Sequence, residues 1–233
     1  MFNLFPIFKK KNTSNTFDVS SNERKIFCRE LINSSSLNTS FYVLLIVSVF
    51  IVLAGLLKNS MPLLIGGMLV APMLSPVLGL SLALIIMNYK VSVRALKVFL
   101  LTTLLALSVS MFFGLIFPFR TNEMELIKQM GAGGFELFIA ILAGAAASLS
   151  WVKKNLSTSL AGIAIAVTLL PPLAVAGLAL AALDYTIFIS AIWTYFINVL
   201  GIIIGSFIIF MALKVKKEEK QVVSGVSQEN KEK

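Results

Sequence analysis

Val70-Ala71-Pro72-Met73-Leu74-Ser75-Pro76 lies midway along one long apolar run, and Val167-Thr168-Leu169-Leu170-Pro171-Pro172 lies midway along another. Proline inside a helix has no N–H to donate and strips the carbonyl four residues back of its partner. In hydrocarbon a bare backbone group is costly, so an interrupted helix survives there only inside protein or beside a wet cavity. The two stretches are also in register. Pro76 and Pro172 are 96 residues apart (172 − 76), as are Gly66 and Gly162, Tyr89 and Tyr185, and the turns Lys58-Asn59 and Lys154-Asn155. Paired breaks in corresponding halves of an apolar chain point to a transporter binding site.

Working outward, 58% of the 233 residues are hydrophobic and 13% are charged, with mean hydropathy +0.91. Six blocks free of Asp, Glu, Lys and Arg are long enough to cross a bilayer: 41–57, 62–87, 98–119, 137–152, 156–183 and 186–213. The expected fold is all-α, a polytopic membrane protein of six transmembrane helices. Sliding 64–89 over 160–185 gives 8 identities in 26 positions, among them Gly66, Pro76 and Tyr89. Each repeat has three spans, an odd number, so the second enters the membrane from the opposite side. Two inverted three-helix repeats, about 41–119 and 137–215, with helices 2 and 5 proline-broken, follow as the expected architecture.

The net charge of +9 is distributed in short loops and tails. Lys90, Arg94 and Lys97, then Lys153 and Lys154, join Arg24, Lys25 and Arg29 of the arm and Lys214, Lys216 and Lys217 of the tail. That placement suits anionic lipid head groups, not nucleic acid, and puts both termini in the cytoplasm. Residues 1–36 read as a cytoplasmic arm, 37–215 as the membrane domain and 216–233 as a disordered tail. Within the arm, Ser20 followed by Glu23 has the capping-box pattern, and Ile26, Phe27, Leu31 and Ile32 mark the apolar side of an interfacial helix.

Chemistry is narrowed by what is missing. One cysteine, Cys28, and no histidine argue against a disulfide, a thiolate or imidazole metal site, and imidazole catalysis. No block holds a carboxylate, which argues against carboxylate-based proton coupling and against an enzyme. No metal and no cofactor is expected, and no catalytic residue is assigned.

The strings 64–76 (Leu-Ile-Gly-Gly-Met-Leu-Val-Ala-Pro-Met-Leu-Ser-Pro) and 162–178, with its Pro171-Pro172-Leu173-Ala174, resemble the prokaryotic "uncharacterised hydrophobic domain" proteins, domain-of-unknown-function family 389. The resemblance covers roughly 37–213. The family usually has alanine where this chain has Gly67, and many members carry a soluble N-terminal domain where this chain has a short arm. The resemblance implies a multi-pass protein of a bacterial or archaeal cytoplasmic membrane and implies no reaction.

The candidate ligand site comprises Gly66, Gly67, Met68, Pro72, Ser75 and Pro76 from the first motif, Val167, Thr168, Pro171 and Pro172 from the second, and Asn198 from the last block. Pro72 and Pro76 would bare the carbonyls of Met68 and Pro72, and the later pair those of Val167 and Thr168; the hydroxyls of Ser75 and Thr168 lie near enough to compensate. Half-helix N-termini favour an anionic ligand and bare carbonyls a cation. The competing structural reading is a simple kink at each motif, with Asn198 in an interhelical hydrogen bond. Gly144-xxx-Ser148 and Gly201-xxx-Gly205 read as close-packing motifs. The leading functional expectation is a small-solute or ion transporter or channel, with a homo-oligomer as its assembled form. The alternative is a non-transporting sensor, scaffold or lipid-binding component.

Overall fold

In the computed structural model the described residues are 20–34, 38–117, 133–152, 158–218 and 222–224, and they form helices without a strand. The order is α1 (Ser21–Ser34), α2 (Thr39–Leu57), α3 (Met61–Val70), α4 (Leu74–Ile86), α5 (Tyr89–Ile116), α6 (Gly134–Val152), α7 (Thr158–Ala181) and α8 (Tyr185–Ala212), followed by a short 3-10 turn, Val215–Glu218. Four of these, α2, α5, α6 and α8, are long and apolar enough to cross a membrane, and α3 with α4 makes a fifth if the pair counts as one span. The chain is therefore built as a multi-pass membrane protein.

Helix ends are fixed by caps rather than by hydropathy. Asn38 Oδ1 accepts from Phe41 N at 2.8 Å to start α2, Asn88 Oδ1 from Lys90 N at 3.1 Å to start α5, and Asp184 Oδ1 from Ile187 N at 3.1 Å to start α8. For this reason α5 begins at Tyr89 and not near residue 98. Its first turns carry Lys90, Arg94 and Lys97 beyond the apolar block.

The 96-residue register is reproduced in the backbone. Met87 and Leu183 each take a left-handed φ of 55°; Asn88 and Asp184 follow as caps; and Tyr89 and Tyr185 open helices of 28 residues each. Left-handed φ at a non-glycine residue is uncommon, so its recurrence at equivalent positions is informative. The packing is reciprocal as well: α5 lies against α7, and α8 against α4.

The C-terminal half of α7 is enclosed on every side. Leu169, Leu170, Leu173, Ala174, Val175, Ala176 and Leu178 are all buried, as a helix apolar all round must be. It anchors a core shared with α2, α3, α6 and α8. A second core closes one end of the bundle, joining α1 to the end of α4, the start of α5, and the ends of α6 and α8.

At that end α1 is tied to the protein. Ser20 N donates to Glu23 Oε2 at 2.8 Å and Glu23 N to Ser20 Oγ at 3.2 Å, the two bonds of a capping box. Phe27, Cys28 and Leu31 are buried, and the Phe27 and Phe210 rings lie 5.1 Å apart. Of the four apolar residues expected on one face, Phe27 and Leu31 meet protein, Ile32 is half-buried and Ile26 is exposed.

The small-residue motifs pack within the chain. A Cβ at Gly144 would stand 2.6 Å from Ile202 Cα, and one at Gly201 2.6 Å from Ala140 Cβ, so α6 and α8 touch backbone to backbone. Ser206 Oγ crosses this seam to donate to Gly144 O at 3.2 Å.

Candidate functional site

The first motif interrupts its helix. Ala71 takes an extended conformation (φ −68°, ψ 123°), as the residue before a proline is driven to do, so α3 stops at Val70. Helix α4 starts three residues later, bent by 53° from α3. Pro76 falls in the first turn of α4, where a missing N–H is harmless. The break thus belongs to Pro72, and Pro76 helps the second helix begin.

The two carbonyls expected to be bare are engaged. Met68 O accepts from Ala71 N at 3.3 Å, and Pro72 O accepts from Ser75 Oγ at 3.3 Å. The N-cap position of α4, Met73, supplies no side-chain acceptor to the first turn. The first turn of α4, with Ser75, Pro76 and Val77, is buried, so its positive end lies inside the protein.

The second motif behaves differently. Pro171 and Pro172 are buried inside α7, which runs on through them from Thr158 to Ala181. The expected interruption of this helix is not present. Consecutive prolines remove two ladder bonds, but a helix packed on every side can hold its path through them. Val167 and Thr168 lie on α7, and their side chains are outside the described set, as is the Lys153-Lys154-Asn155 turn.

The structure brings the two motifs together. Met68, Met73 and Val77 share one core with Leu169, Leu170, Leu173 and Ala174. Gly67 is committed to packing: a Cβ there would be 2.7 Å from Val52 Cγ2 and 2.8 Å from Val52 N of α2. Gly66, half-buried, has nothing within 4 Å of such a Cβ. Ser75 and Pro76 are buried, and Pro72 is half-buried.

On α8 the buried polar residues Thr194, Tyr195 and Asn198 share a face. Thr194 Oγ1 donates to Ser190 O at 2.9 Å. Asn198 Oδ1 takes no hydrogen bond, while the residue has a polar partner elsewhere. Tyr195 Oη and Thr103 Oγ1 of α5 are 2.7 Å apart and share a hydrogen bond. Beside it the Phe99 and Tyr195 rings stack, centroids 6.4 Å apart and planes within 8°.

The site read from the sequence included neither Tyr195 nor Thr103. A usable signal existed: Phe99 and Tyr195 are themselves 96 apart (195 − 99). Among the described residues no group of three or more His, Cys, Asp or Glu side chains gathers to hold a metal.

A family model described as "Domain of unknown function (DUF389)" matches residues 68–204, a stretch that begins at Met68 of the first motif and reaches past Asn198. The chain belongs to this family. Within DUF389 it is 32% identical over 205 residues to "Uncharacterized protein MJ0678" of Methanocaldococcus jannaschii, a match covering 84% of this chain and 64% of that protein. The chain therefore spans a little under two thirds of this relative's length. No solved structure matches the chain. Every DUF389 residue assigned above to the candidate site, apart from Gly66 and Gly67, falls inside the family match.

Proposed function

We propose that this DUF389 protein is a six-span transporter or narrow channel for a small solute or ion, built from two inverted three-helix repeats. Its site lies where α3 gives way to α4 beside the Pro171-Pro172 turn of α7. The observation that carries the reading is the interruption itself: a helix start without a side-chain cap opens into an apolar core, against the equivalent segment of the other half. Irregular backbone at membrane depth is characteristic of substrate and ion sites between inverted repeats.

Three observations support the repeat. They are the equivalent left-handed residues and caps, the reciprocal packing of α5 on α7 and α8 on α4, and the Phe99–Tyr195 stack. A residue that touches its own equivalent must lie beside the axis relating the halves. The near-parallel rings are compatible with a two-fold axis between them. That axis passes close to the Thr103–Tyr195 hydroxyl pair, so we assign these two residues to the site along with Ser75 and Asn198.

The second core supports one orientation. The end closed by α1 carries Arg24, Lys25, Arg29, Lys90, Arg94, Lys97, Lys214 and Lys216, whereas the opposite helix ends carry Lys58, Glu136 and Asp184. The basic end faces the cytoplasm of a bacterial or archaeal cell.

The test has two stages. Purified protein is screened by thermal shift against small anions, small cations and amino acids, and each stabilising compound is followed as flux in proteoliposomes. Pro72→Ala and Pro172→Ala should change that flux by more than they lower folded yield. Parallel loss of flux and yield, or no flux for any stabilising compound, would overturn the proposal.

A further inference from the structure

An open cleft lies between α1, α4 and α5 at the basic end of the bundle, with Val222 beside it. Leu31 and Ile32 of α1, Pro76, Gly79 and Leu82 of α4, and Val91, Ala95 and Val98 of α5 form apolar walls. The one charged group in the lining is Arg94. Its Nη2 donates to Ile32 O at 3.2 Å, which holds the guanidinium at the edge where α1 crosses the cleft. Arg94 has a further partner as well, and a guanidinium carries five N–H donors in all.

On the two long apolar segments that wall the cleft, α4 and α5, the charge is basic. Lys90 and Lys97 stand four residues before and three after Arg94, on the same stripe of α5, and both are exposed. Neither α4 nor α5 contains an Asp or Glu. On α1 the acids are Glu23, held in the capping box, and Glu30, which has a polar partner of its own.

We infer that this cleft is a binding site for one anionic phospholipid, with an acyl chain between α4 and α5 and the phosphate on Arg94, Lys90 and Lys97. The walls decide between a lipid and a free anion. A small anion would use a single guanidinium and leave the apolar lining uncovered, whereas an amphiphile uses both. Basic pockets between membrane helices at the cytoplasmic side are known to take anionic head groups. Since Pro76 is in the wall, the lipid would rest against the first turn of α4 and support the helix that begins at the break. The inference needs the basic end to meet lipid and does not depend on transport.

Full-length protein, stripped of lipid in a neutral detergent, is melted with phosphatidylglycerol, with phosphatidylcholine of the same chains, and with inorganic phosphate. Phosphatidylglycerol should raise the melting temperature well above the other two. Arg94→Gln should erase the difference between the two lipids. Ala95→Phe, which fills the cleft and keeps Arg94, should erase the shift from phosphatidylglycerol. If Arg94→Gln does not fold, Lys90→Gln/Lys97→Gln replaces it and should reduce the preference for the anionic lipid. Equal shifts from both lipids would overturn the inference, as would a shift retained in Ala95→Phe. The same shift from inorganic phosphate would overturn it in favour of a free anion. No flux is measured, so failure here and failure of the transport reading are separate results.

Discussion

The seam between α6 and α8 gives the sharpest stability test. In Gly205→Ala the new Cβ meets main chain on α6, the carbonyl of Ile141 and the amide of Ala145, not the tip of a movable side chain. Ala145 N would lie 2.8 Å from it, and non-bonded carbon contacts relax at about 3.5–4.0 Å, so the helices must part by about 1 Å. The 3.2 Å bond from Ser206 Oγ to Gly144 O then passes out of hydrogen-bond range. Overpacking of this kind costs about 1–3 kcal/mol and the lost bond about 1 kcal/mol more. Alanine returns at most about 1 kcal/mol of helix propensity, leaving a net loss of about 1–3 kcal/mol. Gly66→Ala is the control, because its Cβ enters open space and should leave stability unchanged or slightly raised. Unfolding by SDS in mixed micelles, followed through Trp151 and Trp193 fluorescence, measures both variants. The reasoning fails if Gly205→Ala unfolds with the wild type, or if Gly66→Ala loses as much stability as Gly205→Ala.

The remaining expectations are simpler. Phe27→Ala removes a buried ring from the contact with Phe210, a truncation worth about 3–5 kcal/mol in a packed core; limited proteolysis should cut at α1 while the bundle stays intact, and equal loss of both would mean that α1 is integral to the fold. Tyr195→Phe keeps the stack on Phe99 and deletes the bond to Thr103, so SDS titration should show a loss of about 1 kcal/mol, while flux changes more if the pair lines the path. Gly67→Ala should push α3 off Val52 and destabilise this chain unless Val52 is reduced to Ala as well; rescue in the double variant, measured by the same titration, checks that the clash is the cause.

What was legible in the sequence was local. Ser20 with Glu23 foretold a capping box, and the Gly144-xxx-Ser148 and Gly201-xxx-Gly205 spacings foretold close approach, whereas the first motif left break and kink open. Each outcome depends on atoms a few residues apart or on the mere absence of a side chain. The continuity of α7 through Pro171 and Pro172 was not legible, because the packing that holds it comes from six other helices. The docking of α1 was hidden for a similar reason: an amphipathic face looks the same whether it meets lipid or protein. Tyr195 was overlooked because a lone tyrosine in an apolar run resembles an interface anchor until its partner on α5 is known.

On the repeat reading the two halves pack differently, and this bears on how a transporter of this kind would move. In the second half α6 and α8 meet backbone to backbone through Gly144, Gly201 and Gly205, and α7 is unbroken. The positions of α2 and α5 equivalent to Gly144, Gly201 and Gly205 are Ser48, Leu105 and Val109 (144 − 96, 201 − 96, 205 − 96), whose side chains forbid that approach. The corresponding pair is accordingly more open. The first half also holds the one interruption seen in a long apolar segment among the described residues. A change of angle between α3 and α4 would break no intact helical ladder, whereas bending α7 at its prolines would have to repack the core that encloses it. On the transport reading, the second half is therefore the frame and the Ala71–Met73 hinge the moving part. A disulfide or crosslink spanning α3 and α4 should then stop flux, while one between α6 and α8 should leave it intact.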